Sequence, residues 1–244
     1  MILKLLLVIW TEQTFILKSI KGGSQEEEAL EIILLPMIRQ LQELRMNFPL
    51  TIIYLKLRFC GFAYRLFEYH MGVEQYHPVG ADAIPGNRLF AQYHSPQTEQ
   101  MKKEILGQLL SCQSHVRILF ATVAIGMGVN IPNIRHIIHI GVPGSVQQYF
   151  QEVGRCGRDG KPSKATLYFN NRDIAKNRVG VNDHIRQYCR SSGNCLREQL
   201  LKFLDAPERK FKVCGHLCCS VCHDSCTCDN CLISNQITPV NVSN

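Results

Sequence analysis

The chain has 244 residues, 45% of them hydrophobic, which suffices for one full α/β core with a small appendage and excludes a disordered segment. Its net charge of +7 suits a polyanionic partner without requiring one. Of its twelve cysteines, nine lie between Cys189 and Cys231, and only Cys60, Cys112 and Cys156 precede them.

The opening MILKLLLVIW is apolar but too short to span a bilayer, and no small-residue cleavage site follows it. The expectation is therefore a truncated or buried edge of a nuclear or cytosolic protein, the nucleus first, with no membrane partner. In such a reducing compartment clustered cysteines bind zinc more often than they pair as disulfides. TEQTFILKSI comes next and reads as strand-like, and residues 21–25 form a polar break.

From Glu26 to Met46 the pattern predicts a helix, acidic at its start and carrying Arg39 and Arg45 towards its end, as the helix dipole favours. Pro36 predicts a kink or a division into two helices. Strands and helices then alternate. Thr51–Leu55 reads as a short buried strand, and Gly61–Met71 as a helix with Ala63, Leu66, Phe67 and His70 on one face. Residues 77–87 are rich in Pro, Gly, Asp and Asn and form a loop. Arg88–His94 is the next strand, followed by a helix with Ser95 as its cap and Pro96 in its first position. Val116–Thr122 and Arg135–Gly141 are strands. Ser145 and Gln148 have capping-box spacing, ahead of a stripe of Val146, Tyr149, Phe150 and Val153. Ala165–Phe169 is the last strand. This alternation predicts a parallel sheet covered on both faces, with ligands at the carboxyl ends of its strands.

Two loops in Ala121–Gly160 carry the candidate chemistry. The first holds Thr122, Gly126 and Gly128, where glycines let backbone approach a phosphate or a partner strand. The second holds Gln151, Gly154, Arg155, Gly157 and Arg158. Each arginine there sits beside a glycine, and a guanidinium fork stays charged and pairs with phosphate oxygens.

Taken together, ATVAIGMGVNIPNIRHIIHIG and QQYFQEVGRCGRDG resemble motifs V and VI of the RecQ branch of superfamily 2 helicases. TIIYLKLRFCGFAYRLF resembles its motif IV, and QYHSPQ its next strand with the Tyr-His pair. The resemblance covers roughly Thr51 to Cys231 and is closest from Ala121 to Asp173. It implies an α/β fold, a RecA-like second motor lobe with helices on both faces of a parallel sheet. It implies that Arg155 and Arg158 face an ATP, with its Mg²⁺, held mainly by a first helicase lobe, one of them as the arginine finger. Gln151 would couple nucleotide to DNA, Gly126 and Gly128 would border the nucleotide cleft, and Thr122 and Arg58 would lie near nucleic-acid phosphates, with Tyr54 beside Arg58 on motif IV. The partners are single-stranded DNA, duplex junctions and that first lobe. Two departures stand out: Leu57 where the family has a small polar residue, and Cys156 where it has alanine.

No G-x-x-x-x-G-K-[ST] phosphate loop occurs in the chain, and it has no Asp-Glu dipeptide to organise Mg²⁺. Gly160-Lys161-Pro162-Ser163 is a near miss in which Pro162 takes the hydroxyl's place. The expectation is that the first lobe is missing and that the chain alone does not hydrolyse ATP.

Asn194 can cap a helix striped by Leu196, Leu200, Leu201 and Leu204. Cys195 at its start, a distant Cys214 and the pair Cys219-x-x-Cys222 supply four thiolates for one Zn²⁺, with Cys218 a direct competitor for Cys214. Cys195 before a leucine-rich helix also resembles the RecQ zinc module. Cys226, Cys228 and Cys231 offer a second site, and His216 and His223 are further candidates. The expected organisation is a leading segment 1–49, the lobe 50–175, a small helical zinc-binding module 176–232 and a disordered tail 233–244. Two other readings remain, a DNA-binding or regulatory module without catalysis and an RNA-directed helicase. The wording of motif V and the cysteine tail oppose the latter.

Overall fold

The computed structural model describes residues 10–16, 25–111, 113–122, 125, 129–191, 194–204 and 218–227. Gly126, Gly128, Cys214, His216, Cys228, Cys231 and the tail 233–244 lie outside the described residues.

Among the described residues six parallel strands form one sheet: β1 (Trp10–Ile16), β2 (Thr51–Tyr54), β3 (Phe90–Tyr93), β4 (Ile118–Ala121), β5 (His136–Ile140) and β6 (Ser163–Phe169). Their order is β1-β6-β5-β2-β4-β3, so β2 lies in the interior and β3 at an edge. Register places Ile53 of β2 between Phe120 and Ile138, and Ile52 between Leu119 and Ile137. Successive residues point to opposite faces, and the two cores follow that alternation. Ile53, Phe120 and Ile138 belong to one core, Ile52, Leu119 and Ile137 to the other. Near-continuous apolar runs are what a sheet buried on both sides requires.

The first face is covered by α1 (Gln25–Leu44) and α2 (Leu57–Met71), which contribute Leu30, Leu34, Ile38 and Leu41, then Phe59, Ala63 and Phe67. Pro36 lies inside α1 and does not divide it into two helices, one of the two outcomes expected of it. Leu34 and Ile38 are fully buried on either side of it, and that burial offsets the lost intrahelical bond. The helix α2 begins four residues earlier than the sequence suggested, so Gly61 lies inside it. Its stripe starts at Phe59 and Cys60 and ends on Met71, and His70 is exposed.

The second face carries α3 (Glu99–Leu110), α4 (Val146–Val153), α5 (Asp183–Arg190) and α6 (Leu196–Lys202). Ser95 is not the cap of α3. Thr98 is, accepting from Met101 N at 3.3 Å, while Gln97 Oε1 accepts from His94 N and closes a turn before it. Similarly, Cys195 rather than Asn194 occupies the cap position of α6. A short helix, α7 (Ser220–Asp224), completes the described residues. Ile185, Leu196, Leu200 and Cys219 join the same core as Tyr149 and Val153, so the cysteine-bearing segment is packed onto the sheet's second face. None of the described helices is long and apolar enough to cross a membrane.

Candidate functional site

The neighbouring strands β2 and β5 send their following helices to opposite faces, α2 to one and α4 to the other. The carboxyl ends of two such strands form the switch point where open α/β sheets hold ligands. A cavity of about 290 Å³ lies there, bordered by Tyr54, Lys56, His139, Gly144 and Gln148.

Helix α4 starts at Ser145, whose Oγ accepts from Gln148 N at 3.1 Å. The capping box is not closed in the usual way, because Gln148 Oε1 accepts from Gly144 N at 3.0 Å. Gln148 Nε2 donates to Glu152 Oε1 at 3.1 Å, and Glu152 Oε2 meets His139 Nε2 at 2.7 Å. Glu152 and His139 are only 4% and 2% exposed. Charges buried this deeply persist only when paired. The His139 ring stacks on Tyr54, with centroids 4.9 Å apart and an interplanar angle of 19°. Tyr54 in turn lies against Arg155. Burial pushes its phenol above the usual range, with the Arg155 charge opposing. Tyr54 Oη and Arg155 Nε are both buried and lack a well-formed hydrogen bond.

The loop after α4 presents the two arginines. Arg155 N donates to Glu152 O at 3.2 Å and its side chain is half-buried. Arg158 is exposed; its Nε donates to Gly154 O at 3.1 Å and its Nη1 to Asn130 Oδ1 at 3.0 Å. Gly157 between them has φ +64°, a conformation that favours glycine, and its N donates to Ile134 O at 3.2 Å. Cys156 points inward, its Sγ donating to Val153 O at 3.0 Å, and burial pushes its thiol up to about 12. It is a buried apolar filler, as alanine would be. Asp159 pairs with Arg135 and anchors the end of the loop.

Among the other expected residues, Gln151 is exposed on α4, beside the buried Glu152. Thr122 follows β4, its N donating to Tyr93 O at 3.2 Å. Arg58 is exposed at the start of α2, paired with Glu26 and lying 4.4 Å from the Phe59 ring. Sequence reasoning missed the His139–Glu152 pair and the Tyr54 stack. One signal was there: Glu152 interrupts the apolar stripe of Val146, Tyr149 and Val153, and a charge on a buried face needs a partner.

The sulfur atoms of Cys195, Cys218, Cys219 and Cys222 all lie within 4.8 Å of one another, with Cys195 and Cys218 at 3.5 Å. Zn–S bonds of about 2.3 Å in a tetrahedron place sulfurs about 3.8 Å apart, so the donor set fits one such ion. Thiols this close cannot ionise independently. Hydrogen bonds from Cys195 and Cys218 hold the Cys219 thiol low, and the contacts with Cys195 and Cys219 push that of Cys218 up. The structure brings together three of the four expected ligands and adds Cys218.

Residues 74–160 match the family model of the helicase conserved C-terminal domain. The chain is 29% identical to ATP-dependent DNA helicase Q-like 2 of Arabidopsis thaliana over 62% of its own length and 21% of that protein's. It is 32% identical to RecQ-like DNA helicase BLM of Xenopus laevis over 62% of its length and 12% of that protein's. Residues 74–160 thus carry a match to a helicase C-terminal domain, and the chain is similar to RecQ-like DNA helicases. It spans about a fifth or less of the length of these two relatives. Its fold is similar to that of Mss116p bound to ssRNA and AMP-PNP, with a TM-score of 0.50 and 15% identity over 77% of this chain and 36% of that one. The stretch that resembles motif VI lies on α4 and its following loop, and the stretch that resembles motif IV on β2 and α2.

Proposed function

We propose that this chain is the second motor lobe and zinc module of an ATP-dependent 3′–5′ DNA helicase, working with a first lobe on single strands and duplex junctions in recombination and repair. One observation carries the reading. Arg155 and Arg158 leave the end of a single capped helix, and Arg155 is backed by the buried Glu152–His139–Tyr54 assembly. A fixed guanidinium stabilises charge on a transferred phosphoryl group far better than a mobile one, because it needs no reorganisation during the reaction. The assembly keeps Arg155 at a set depth, and Arg158 is oriented by Gly154 and Asn130. In this proposal the nucleotide and its Mg²⁺ are held mainly by the first lobe. A Zn²⁺ held by Cys195, Cys218, Cys219 and Cys222 supplies a cross-link that fixes α6 and α7 against the lobe, with Cys214 the competing ligand.

The test is to supply a RecQ-type first lobe, fused to the N-terminus of this chain, and to measure Mg²⁺-dependent ATP hydrolysis with and without single-stranded DNA. The chain alone should be inactive and the fusion DNA-stimulated. Arg155→Ala and Arg158→Ala should each lower turnover, the finger by about 10³-fold or more. Turnover by the chain alone, or a fusion indifferent to both substitutions, would overturn the proposal. DNA binding by a fusion that never hydrolyses ATP would favour a non-catalytic DNA-binding module.

A further inference from the structure

Between β6 and α5, residues 170–182 form a strap beside the switch point. Its start is folded into a turn, with Asn170 Oδ1 accepting from Asp173 N at 3.2 Å and Asp173 Oδ2 from Asn170 N at 3.1 Å. Asp173 also lies 3.6 Å from Lys56, which precedes α2. Ile174 is buried in the second-face core, and Val181 packs against it. From Lys176 to Gly180, however, every residue is exposed and none joins that core. Gly180 nevertheless borders the switch-point cavity, so apolar packing does not account for what holds this stretch in place.

The anchor comes from α5. Arg186 is only 6% exposed. Its Nη2 donates to Arg178 O at 2.8 Å and to Lys176 O at 3.3 Å, and its Nη1 to Asp183 Oδ1 at 2.8 Å. Arg190, one turn further along α5, donates from Nη2 to Ile174 O at 3.1 Å. Burying a guanidinium is costly unless its bonds are made. Here they go largely to strap carbonyls, so the charge is used to hold backbone. A planar fork that reaches two carbonyls at once suits this task better than the single point of an ammonium.

The strap meets the candidate site at Gly144. Gly144 O accepts from Asn182 N at 2.9 Å, and Gly144 N donates to Gln148 Oε1 at 3.0 Å. A Cβ on Gly144 would stand 2.8 Å from Gly180 O and 3.1 Å from Gln148 Oε1. Close approach therefore demands glycine here, with the strap on one side and the buried polar chain on the other. From Gln148 that chain continues through Glu152 to His139 and Tyr54, against Arg155. Arg186 is thus joined to the arginine loop by an unbroken series of hydrogen-bonded groups. Such a series amounts to coupling only when both of its ends respond together.

We propose that Arg186 is a positioning residue for the arginine loop. It holds the strap on Gly144, and Gly144 with Gln148 sets the depth of Glu152 and hence of Arg155. This rests on the reading of the chain as a motor lobe. Its consequence for rate is large because a misplacement of about 1 Å at a reacting group costs about 10²-fold.

Hydrogen–deuterium exchange on the full chain, without nucleotide, reads the positioning directly. Arg186→Met keeps length and packing but cannot donate to the carbonyls. It should raise exchange about tenfold or more at Asn182 and across residues 144–157, the scale of bonds lost from a charged donor, with α1 and α2 unchanged. Arg186→Lys should restore part of the protection. In the fused two-lobe protein Arg186→Met should lower kcat about tenfold per folded molecule and leave KM for ATP unchanged, because the nucleotide is held mainly by the first lobe. Gly144→Ala reaches the same joint from the other side, should act likewise, and carries the test if Arg186→Met does not fold. The double variant should lose no more than the worse single one, as groups acting through one joint do. Native exchange across 144–157 in these variants overturns the proposal, as does a uniform rise over the whole chain. A double variant whose loss is the product of the two single losses overturns it as well. An arginine that only stabilised the fold would lower the urea midpoint and leave kcat per folded molecule native, and that result also sinks it. A native fusion without turnover counts against the motor-lobe reading instead, and exchange then decides the role of Arg186 by itself.

Discussion

The face of the sheet under α1 and α2 is closed mainly by apolar side chains, with Phe67 edge-on to both Phe90 and Phe120 at 5.5 and 5.0 Å, and buries only the small hydroxyls of Thr51 and Thr166 beside them. The face under α4 and α5 buries Glu152 and His139 among its apolar side chains, and its core continues without a break to Cys219. A largely apolar core tolerates small shifts in depth and orientation, whereas a buried hydrogen-bonded polar pair has one good geometry. The second face therefore fixes the position of what is mounted on it, the arginine loop and the cysteine group, while the first supplies stability.

The largest effect that would sharpen this contrast is at the cysteine end. Four thiolates on one ion gain their binding free energy as folding free energy, because the ligand set does not exist in the unfolded chain. The purified protein should contain about one Zn²⁺ per chain. Cys219→Ser, or a strong chelator, should release the ion and unfold α6 and α7 while leaving the sheet's circular dichroism signal largely intact. Cys218→Ser should do the same if Cys218 is a ligand, and Cys214→Ser should not. The reverse pattern for these last two would move the fourth ligand to Cys214. Full zinc retention in Cys219→Ser would show that the second face does not end in a metal site.

Next in size is a matched pair of substitutions, one per face. Phe67→Ala should cost about 3–5 kcal/mol by emptying the aromatic cluster. Glu152→Ala should cost about as much, about 3–5 kcal/mol, by leaving His139 buried without its partner. Urea denaturation gives both numbers. The contrast lies in a second readout: in the fused two-lobe protein Glu152→Ala should lower ATP turnover below what its folded fraction explains, and Phe67→Ala should not. Equal residual turnover per folded molecule would break the distinction between the faces.

Much of this fold was legible in the sequence. The strands were found within a few residues because the interior ones, such as Thr51–Tyr54 and Ile118–Ala121, are short apolar runs between polar breaks, and a sheet buried on both faces needs such runs. Helix starts were read less well. Ser95-Pro96 has the form of a cap and first turn, yet Gln97 folds back on the His94 amide and hands the cap to Thr98. That choice is made by a side chain closing a turn, which no local pattern encodes. Arg155 and Arg158 were legible because loop and glycines are contiguous. The His139–Glu152 pair was not, because it joins a strand to the following helix through the packing of the second face. At the cysteines, spacing identified Cys195, Cys219 and Cys222. It cannot separate Cys214 from Cys218, because the path of the intervening backbone decides which sulfur arrives.

The smallest expected effect concerns pH, and it also separates the two faces. His136 begins β5 and its Nε2 lies 2.9 Å from Thr166 Oγ1 on β6. Burial, with the Lys164 charge adding to it, lowers the pKa of His136 from 6.5 to about 3. The folded state thus holds this imidazole neutral, whereas the unfolded chain protonates it below pH 6.5. Stability from this group is fully present above pH 6.5 and is lost as pH falls from 6.5 towards 3, by about 1.4 kcal/mol for each unit well inside that window. Between pH 7.5 and pH 5 the native protein should therefore lose about 2 kcal/mol through His136. His136→Asn, which keeps a hydrogen-bonding side chain but does not titrate, should lose correspondingly less over the same interval. Urea midpoints at the two pH values measure the difference. If the variant and the native protein lose the same stability, the acid sensitivity lies elsewhere, and the cysteine group at the end of the second face is the next place to look.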